Sequence, residues 1–99
     1  MPIVTLITDL GNKDFYLSTV KAALYREQVD LDVVDITHHI ARYDISQAAF
    51  VLKNVMHHFP AGTIHMIGVS SKSTDNIRHL AFDYDGQKII CADNGFFSL

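Results

Sequence analysis

Asp9 is the first residue whose type and position suggest chemistry. It follows the β-branched, apolar run Ile3 to Thr8. An ionised carboxylate there offers two acceptor oxygens at a spacing that suits the vicinal hydroxyls of a ribose. The loop that follows, up to Asp14, contains neither GxGxxG nor GxxxxGK, so it disfavours a pyrophosphate and suits a phosphate-free nucleoside. The same residues have a plainer use, because Asp9 and Asp14 can organise the loop and the start of the helix behind it. Tyr43, just ahead of Asp44, carries a ring that can stack on a base or shield a reaction from water, or simply sit half-exposed. Ser70-Ser71-Lys72-Ser73-Thr74 brings hydroxyls and a cation that suit a small anion or a carboxylate, and equally a solvated loop.

The six histidines are scattered. Asp35-x-x-His38, with His39 beside it, is the one spacing that suggests a metal, but no cysteine pair or HExxH frame supports it and a structural or surface role is the preferred reading. His57 and His58 close a helix, where they complement its dipole. His65 alternates inside a strand and is read as packed. Cys91 is the only cysteine, so an intrachain disulfide is excluded and a small buried hydrophobe is expected.

These residues need elements to position them. Ile3 to Thr8 reads as a buried strand, and Tyr16, Val20, Ala23 and Leu24 recur at helical spacing between Lys13 and about Gln28, with Asn12 as N-cap and Asp14 in the first turn. Leu31 to Ile36 is a second strand. Asp44 caps a second helix, with Gln47 completing a capping box and Ile45, Ala48, Ala49, Leu52, Val55 and Met56 forming its apolar stripe. Phe59-Pro60-Ala61-Gly62 stops it, and Thr63 to Val69 is a third strand. Two right-handed crossovers therefore make a parallel sheet. Asp85-Gly86 between Arg78–Tyr84 and Gln87–Ala92 is a hairpin signal, so an antiparallel pair follows. The expected fold class is α/β, a three-layer sandwich with a mostly parallel sheet plus an antiparallel hairpin. In such sheets ligands bind beyond the carboxyl ends of the strands, which gathers the loops 9–14, 37–43 and 70–77.

Composition narrows the partners. Of 99 residues, 48% are hydrophobic and 19% charged, enough apolar side chain for an ordered domain. Eight Lys and Arg against 11 Asp and Glu give a formal charge of −3, without the positive field that nucleic acid or anionic lipid requires. The apolar start lacks a basic n-region and is broken at Asp9, so it is neither a signal peptide nor a membrane span, and a cytoplasmic location is expected. The apolar Phe96-Phe97-Ser98-Leu99, directly after Asp93-Asn94-Gly95, suggests part of a longer protein.

The ordered set Thr8-Asp9-Leu10-Gly11 with Asp14 and Tyr16, Val34-Asp35-Ile36-Thr37-His38 with Asp44, Ala48-Ala49-Phe50, Phe59-Pro60-x-Gly62-Thr63-x-His65 and Asp93-Asn94-Gly95 resembles the S-adenosyl-L-methionine hydroxide adenosyltransferases, relatives of the fluorinase and chlorinase. The resemblance runs over almost the whole chain. It implies an incomplete N-terminal α/β domain, with a C-terminal β-barrel domain absent from this chain, and a homotrimer with the nucleoside between subunits. The implied reaction is displacement at C5′ of S-adenosyl-L-methionine, by water to give adenosine and L-methionine or by halide, with no cofactor.

By the same resemblance Asp9 matches the carboxylate that holds the ribose hydroxyls and Tyr43 the aromatic residue beside the sugar and methionine, while Asp14 supports the loop. Ser70 and Ser73 complete the expected substrate-binding set. The family's water-positioning aspartate and first arginine fall on Ser70 and Ile77 here, with Arg78 at the second arginine. A hydroxyl does not replace a carboxylate as base near neutral pH, so the catalytic residues are left unassigned and this chain alone is expected to be inactive. Asp75 or Arg78 could act instead in a shifted loop. The alternatives are a non-catalytic module that binds S-adenosylmethionine or adenosine, and an α/β interaction domain without a small ligand.

Overall fold

The computed structural model describes residues 2–11, 15–42, 44–69 and 79–92. Its elements are β1 (Ile3–Thr8), α1 (Tyr16–Glu27), β2 (Asp32–Thr37), α2 (Ile45–Val55) running into a short 3₁₀ turn (Met56–His58), β3 (Ile64–Gly68), β4 (His79–Tyr84) and β5 (Gln87–Ala92). The strand order is β2-β1-β3-β5-β4, with every pairing parallel except β4 on β5. The expected mostly parallel α/β sheet with a terminal hairpin is therefore the fold, and β5, not β4, docks on β3. Burial explains that choice. Gln87, Ile89 and Cys91 are buried, whereas Asp83 and Tyr84 of β4 are exposed, so the more apolar strand takes the interior position.

The two helices cover opposite faces. Ile7, Ile67, Ile89 and Cys91 pack with Ala48, Ala49, Leu52 and Met56 into the main core beneath α2, and Cys91 is buried as expected. Burying a leucine such as Leu52 is worth roughly 1.5–3 kcal/mol, so this stripe, more than helix propensity, fixes α2. On the other face Val4, Leu6 and Thr8 are buried on the side of α1, and a cleft of about 160 Å³ runs between Val20 of α1 and Met66, Gly68 and Ile90.

Three local expectations need correction. The first helix begins at Tyr16, three residues later than Lys13, and its N-cap position is Phe15 rather than Asn12, without a side-chain cap. Thr19 instead anchors the turn, donating from both its amide and its hydroxyl to the Phe15 carbonyl. β2 is shifted one residue along, to Asp32–Thr37. Asp44 does cap α2, accepting from the Gln47 amide at 3.0 Å. The Gln47 side chain, however, accepts from the Ala41 amide and not from that of Asp44, which is already donated to the Ala41 carbonyl. The hairpin turn is as expected: Asp85 and Gly86 both have positive φ, the twist that matches paired strands.

Candidate functional site

The carboxyl ends of β1, β2 and β3 come together at one edge of the sheet. Thr8, the last residue of β1, lies level with Gly68 at the end of β3. A Cβ on Gly68 would sit 3.1 Å from the Thr8 methyl, so glycine is what permits that close approach. Asp9 leaves β1 at a bend and is half-buried. The backbone on either side of it is tied to the loop after β2: Ile40 N–H donates to the Thr8 carbonyl at 3.2 Å and Gly11 N–H to the His38 carbonyl at 2.6 Å.

A chain of side chains runs beneath this bend. Lys21 of α1 donates to Asp35 Oδ2 at 2.6 Å, and the other carboxylate oxygen lies 2.8 Å from His38 Nε2. His38 Nδ1 is 2.7 Å from the Thr8 hydroxyl, which also accepts the Leu10 amide at 3.3 Å. Desolvation by itself would raise the Asp35 carboxyl, but the hydrogen bonds and charges of Lys21 and His38 outweigh it and hold the group below the ordinary carboxylate range. An ionised carboxylate only accepts, so Nε2 of His38 carries the proton. At Nδ1 the His38 ring meets the Thr8 hydroxyl, accepting its proton when the ring is neutral and donating to it when the ring is charged.

In a regular strand residues three apart face opposite sides of the sheet. Asp35 and His38 share a side because β1 and β2 slip register between Leu6 and Ile7, Leu6 facing Asp35 and Ile7 facing Thr37, which leaves Ile36 as the extra residue. The Asp35-x-x-His38 spacing thus makes a hydrogen-bonded pair, and among the described residues no three His, Cys, Asp or Glu side chains gather to hold a metal.

Of the residues singled out in the sequence, Asp9 stands at the strand edge as expected. Asp14, Tyr43, Ser70, Ser73 and Ile77, along with Asp75 and Arg78, lie outside the described residues. Thr8 and Lys21 were missed. Thr8 carried a signal, a hydroxyl at the last strand position next to a candidate ligand carboxylate, but Lys21 carried none, because its partner Asp35 lies on another element.

No helix among the described residues is long and apolar enough to cross a membrane. Residues 4–99 match the SAM hydroxide adenosyltransferase N-terminal domain. Two curated relatives carry the name (R)-S-adenosyl-L-methionine hydrolase. That of Methanocaldococcus jannaschii is 25% identical over 103 residues, covering 99% of this chain and 39% of the relative. That of Thermus thermophilus is 27% identical over 96 residues, covering 97% and 37%. Among solved structures, a conserved hypothetical protein from Thermus thermophilus matches all of this chain and 41% of its own, with a TM-score of 0.85 and 29% identity. An uncharacterized conserved protein from Thermotoga maritima matches 95% of this chain and 36% of its own, at 0.83 and 27%. The chain spans less than two fifths of the length of the curated relatives it matches. With nearly every residue inside the domain match, the chain belongs to the SAM hydroxide adenosyltransferase family.

Proposed function

We propose that the whole protein cleaves S-adenosyl-L-methionine by substitution at C5′, with water as nucleophile, giving adenosine and L-methionine, and that this chain supplies part of the nucleoside site. The reading is carried by Asp9, a carboxylate at the carboxyl end of β1 where the family match and the strand topology converge. In the reaction the C5′–S bond breaks with its electron pair going to sulfur, the C5′–O bond forms, and the water loses a proton to solvent or a base. Methionine leaves as a neutral thioether and needs no acid. The work left to the protein is to hold the sugar, align the nucleophile and exclude other water.

Asp9 holds the two ribose hydroxyls in this reading, Tyr43 lies beside the sugar, and Ser70 and Ser73 complete the contacts, with Asp14 supporting the loop. A C-terminal barrel and a trimeric assembly with the nucleoside between subunits belong to the same proposal. The relatives' name specifies the (R) sulfonium epimer, and we extend that preference to this protein. The full-length protein incubated with each epimer should release adenosine and methionine in equal amounts, faster from (R), as followed by liquid chromatography. Chlorinated nucleoside formed in chloride buffer would instead assign halide as nucleophile.

Ser70 and Ile77, where the family's water-positioning aspartate and arginine are expected, favour a second reading. In it the protein binds S-adenosylmethionine or adenosine without turning it over. Calorimetric binding with intact substrate at the end would select this reading.

A further inference from the structure

The backbone on both sides of Asp9 is held in place. Thr8 before it is fastened to the loop that follows β2 through its carbonyl and hydroxyl, and Gly11 after it through its amide onto the His38 carbonyl, while the Leu10 amide donates to that same Thr8 hydroxyl. Four contacts at 2.6–3.3 Å thus bracket a single residue, and His38 takes part in two of them. His38 is itself oriented by Asp35, whose second oxygen is engaged by Lys21. Its side chain is only 8% exposed, while that of Asp35 is 40% exposed, so the relay runs from solvent into the loop. The Thr8 hydroxyl is buried and already occupied on both sides, so it is unsuited to act as a nucleophile.

We propose that His38 is a positioning residue, which through Thr8 sets the backbone that aims Asp9 and thereby sets nucleoside affinity. The inference rests on the ribose-holding role proposed for Asp9. Losing the Thr8 hydroxyl removes one hydrogen bond from His38 and one from Leu10, and lets Asp9 sample other directions. A mispositioned carboxylate weakens ground-state and transition-state binding alike, so KM should rise while kcat stays nearly level.

The experiment uses the full-length protein with S-adenosyl-L-methionine and adenosine as probes, in calorimetry and in amide hydrogen exchange. Thr8→Val should weaken binding roughly tenfold, as expected for about 1.4 kcal/mol of lost hydrogen bonding. It should also speed exchange at Leu10 and Gly11. Thr8→Ser, which keeps the hydroxyl, should restore both. Thr5→Val, an equivalent loss on the other face of β1, should leave affinity and exchange at Leu10 and Gly11 unchanged. Wild-type affinity in Thr8→Val, alongside lost affinity in Asp9→Ala, would overturn the positioning role while leaving Asp9 on the ribose. Wild-type affinity in Asp9→Ala, or no binding by the unmodified protein, would overturn the nucleoside reading and this inference with it. If Thr8→Val does not fold, Asp35→Asn reads the relay from its solvent end, where unchanged affinity and unchanged exchange at Leu10 would count against the proposal.

Discussion

β1 carries two threonine–histidine pairs, three residues apart and on opposite faces. Thr5 meets His65 of β3 at 2.6 Å on the α2 face, while Thr8 meets His38 at 2.7 Å on the α1 face. Beyond the histidine the two part company. His65 passes to Gln87, whose amide donates to the carbonyls of Met56 and Phe59 at 2.9 and 3.0 Å. Both carbonyls lie in the turn that ends the helix, where the Met56 carbonyl also accepts the Phe59 amide, so this network fastens the end of α2 to the sheet. Phe59 closes it with an edge-on ring contact to His65, and Thr5 and His65 are both 0% exposed. His38 instead passes to a carboxylate and an ammonium at the surface. A sealed network at the amino ends of β3 and β5, away from the candidate site, serves stability. A charged network open at one end, beside the candidate ligand carboxylate, costs less to disturb and serves geometry.

The sharpest way to break this contrast is His65→Leu. It leaves the Thr5 hydroxyl and the Gln87 carbonyl oxygen buried without a partner, a loss of about 3 kcal/mol at the usual penalty for two such groups. Urea unfolding followed by circular dichroism should show it as a lower midpoint. Gln87→Leu should cost a similar amount, since it leaves His65 Nε2 and the Phe59 carbonyl without this partner, while the Met56 carbonyl keeps the Phe59 amide. The double variant should cost clearly less than the sum, because each change has already removed the other's partner. Strict additivity would mean that the chain from Thr5 to Phe59 is a set of independent contacts.

His38→Leu tests the other side of the comparison. Asp35 is near enough to solvent to be rehydrated and the Thr8 hydroxyl keeps the Leu10 amide, so the expected loss is roughly 1 kcal/mol, well below that of His65→Leu. Nucleoside affinity should fall instead. A stability loss matching that of His65→Leu, with affinity intact, would erase the division of labour between the two pairs.

What the sequence disclosed follows the same division between local and distant causes. The ends of β1, the Asp44 cap and the Asp85-Gly86 turn depend on neighbouring residues, and each was legible. The insertion of β5 between β3 and β4 depends on which strand of the hairpin is more apolar. The run Ile89-Ile90-Cys91-Ala92 contained that signal, although a hairpin motif alone does not say which strand faces inward. The start of α1 at Tyr16 departs from the capping rule because no side chain caps it. The hydrogen bonds of His38 were out of reach for a different reason. At regular strand spacing Asp35 and His38 point to opposite faces, and the bulge that reunites them is a register choice between two strands that their residues do not announce. At the candidate site, Asp9 was legible from chemistry and position, whereas the hydroxyl of Thr8 at the strand end was a signal whose partner, His38, only the folded loop supplies.

The smallest expected effect is electrostatic, and its sign separates the two networks further. Burial pushes the Asp35 carboxyl up, yet Lys21 and His38 together pull it below its ordinary value. A carboxylate with a lowered folded pKa contributes stability in full above the unfolded value of about 3.9, and loses it as pH falls through the folded value. The advantage of the unmodified protein over Asp35→Asn should therefore be level near neutrality and shrink as pH is taken below about 4. Because the Asp35 side chain is 40% exposed, solvent screening keeps the whole contribution to less than about 1 kcal/mol, and added salt should reduce it further. Unfolding midpoints of the two proteins across the acid range would show the difference. If it held constant into acid, Asp35 would be acting through shape alone, and the electrostatic contrast between the outer and inner networks would disappear.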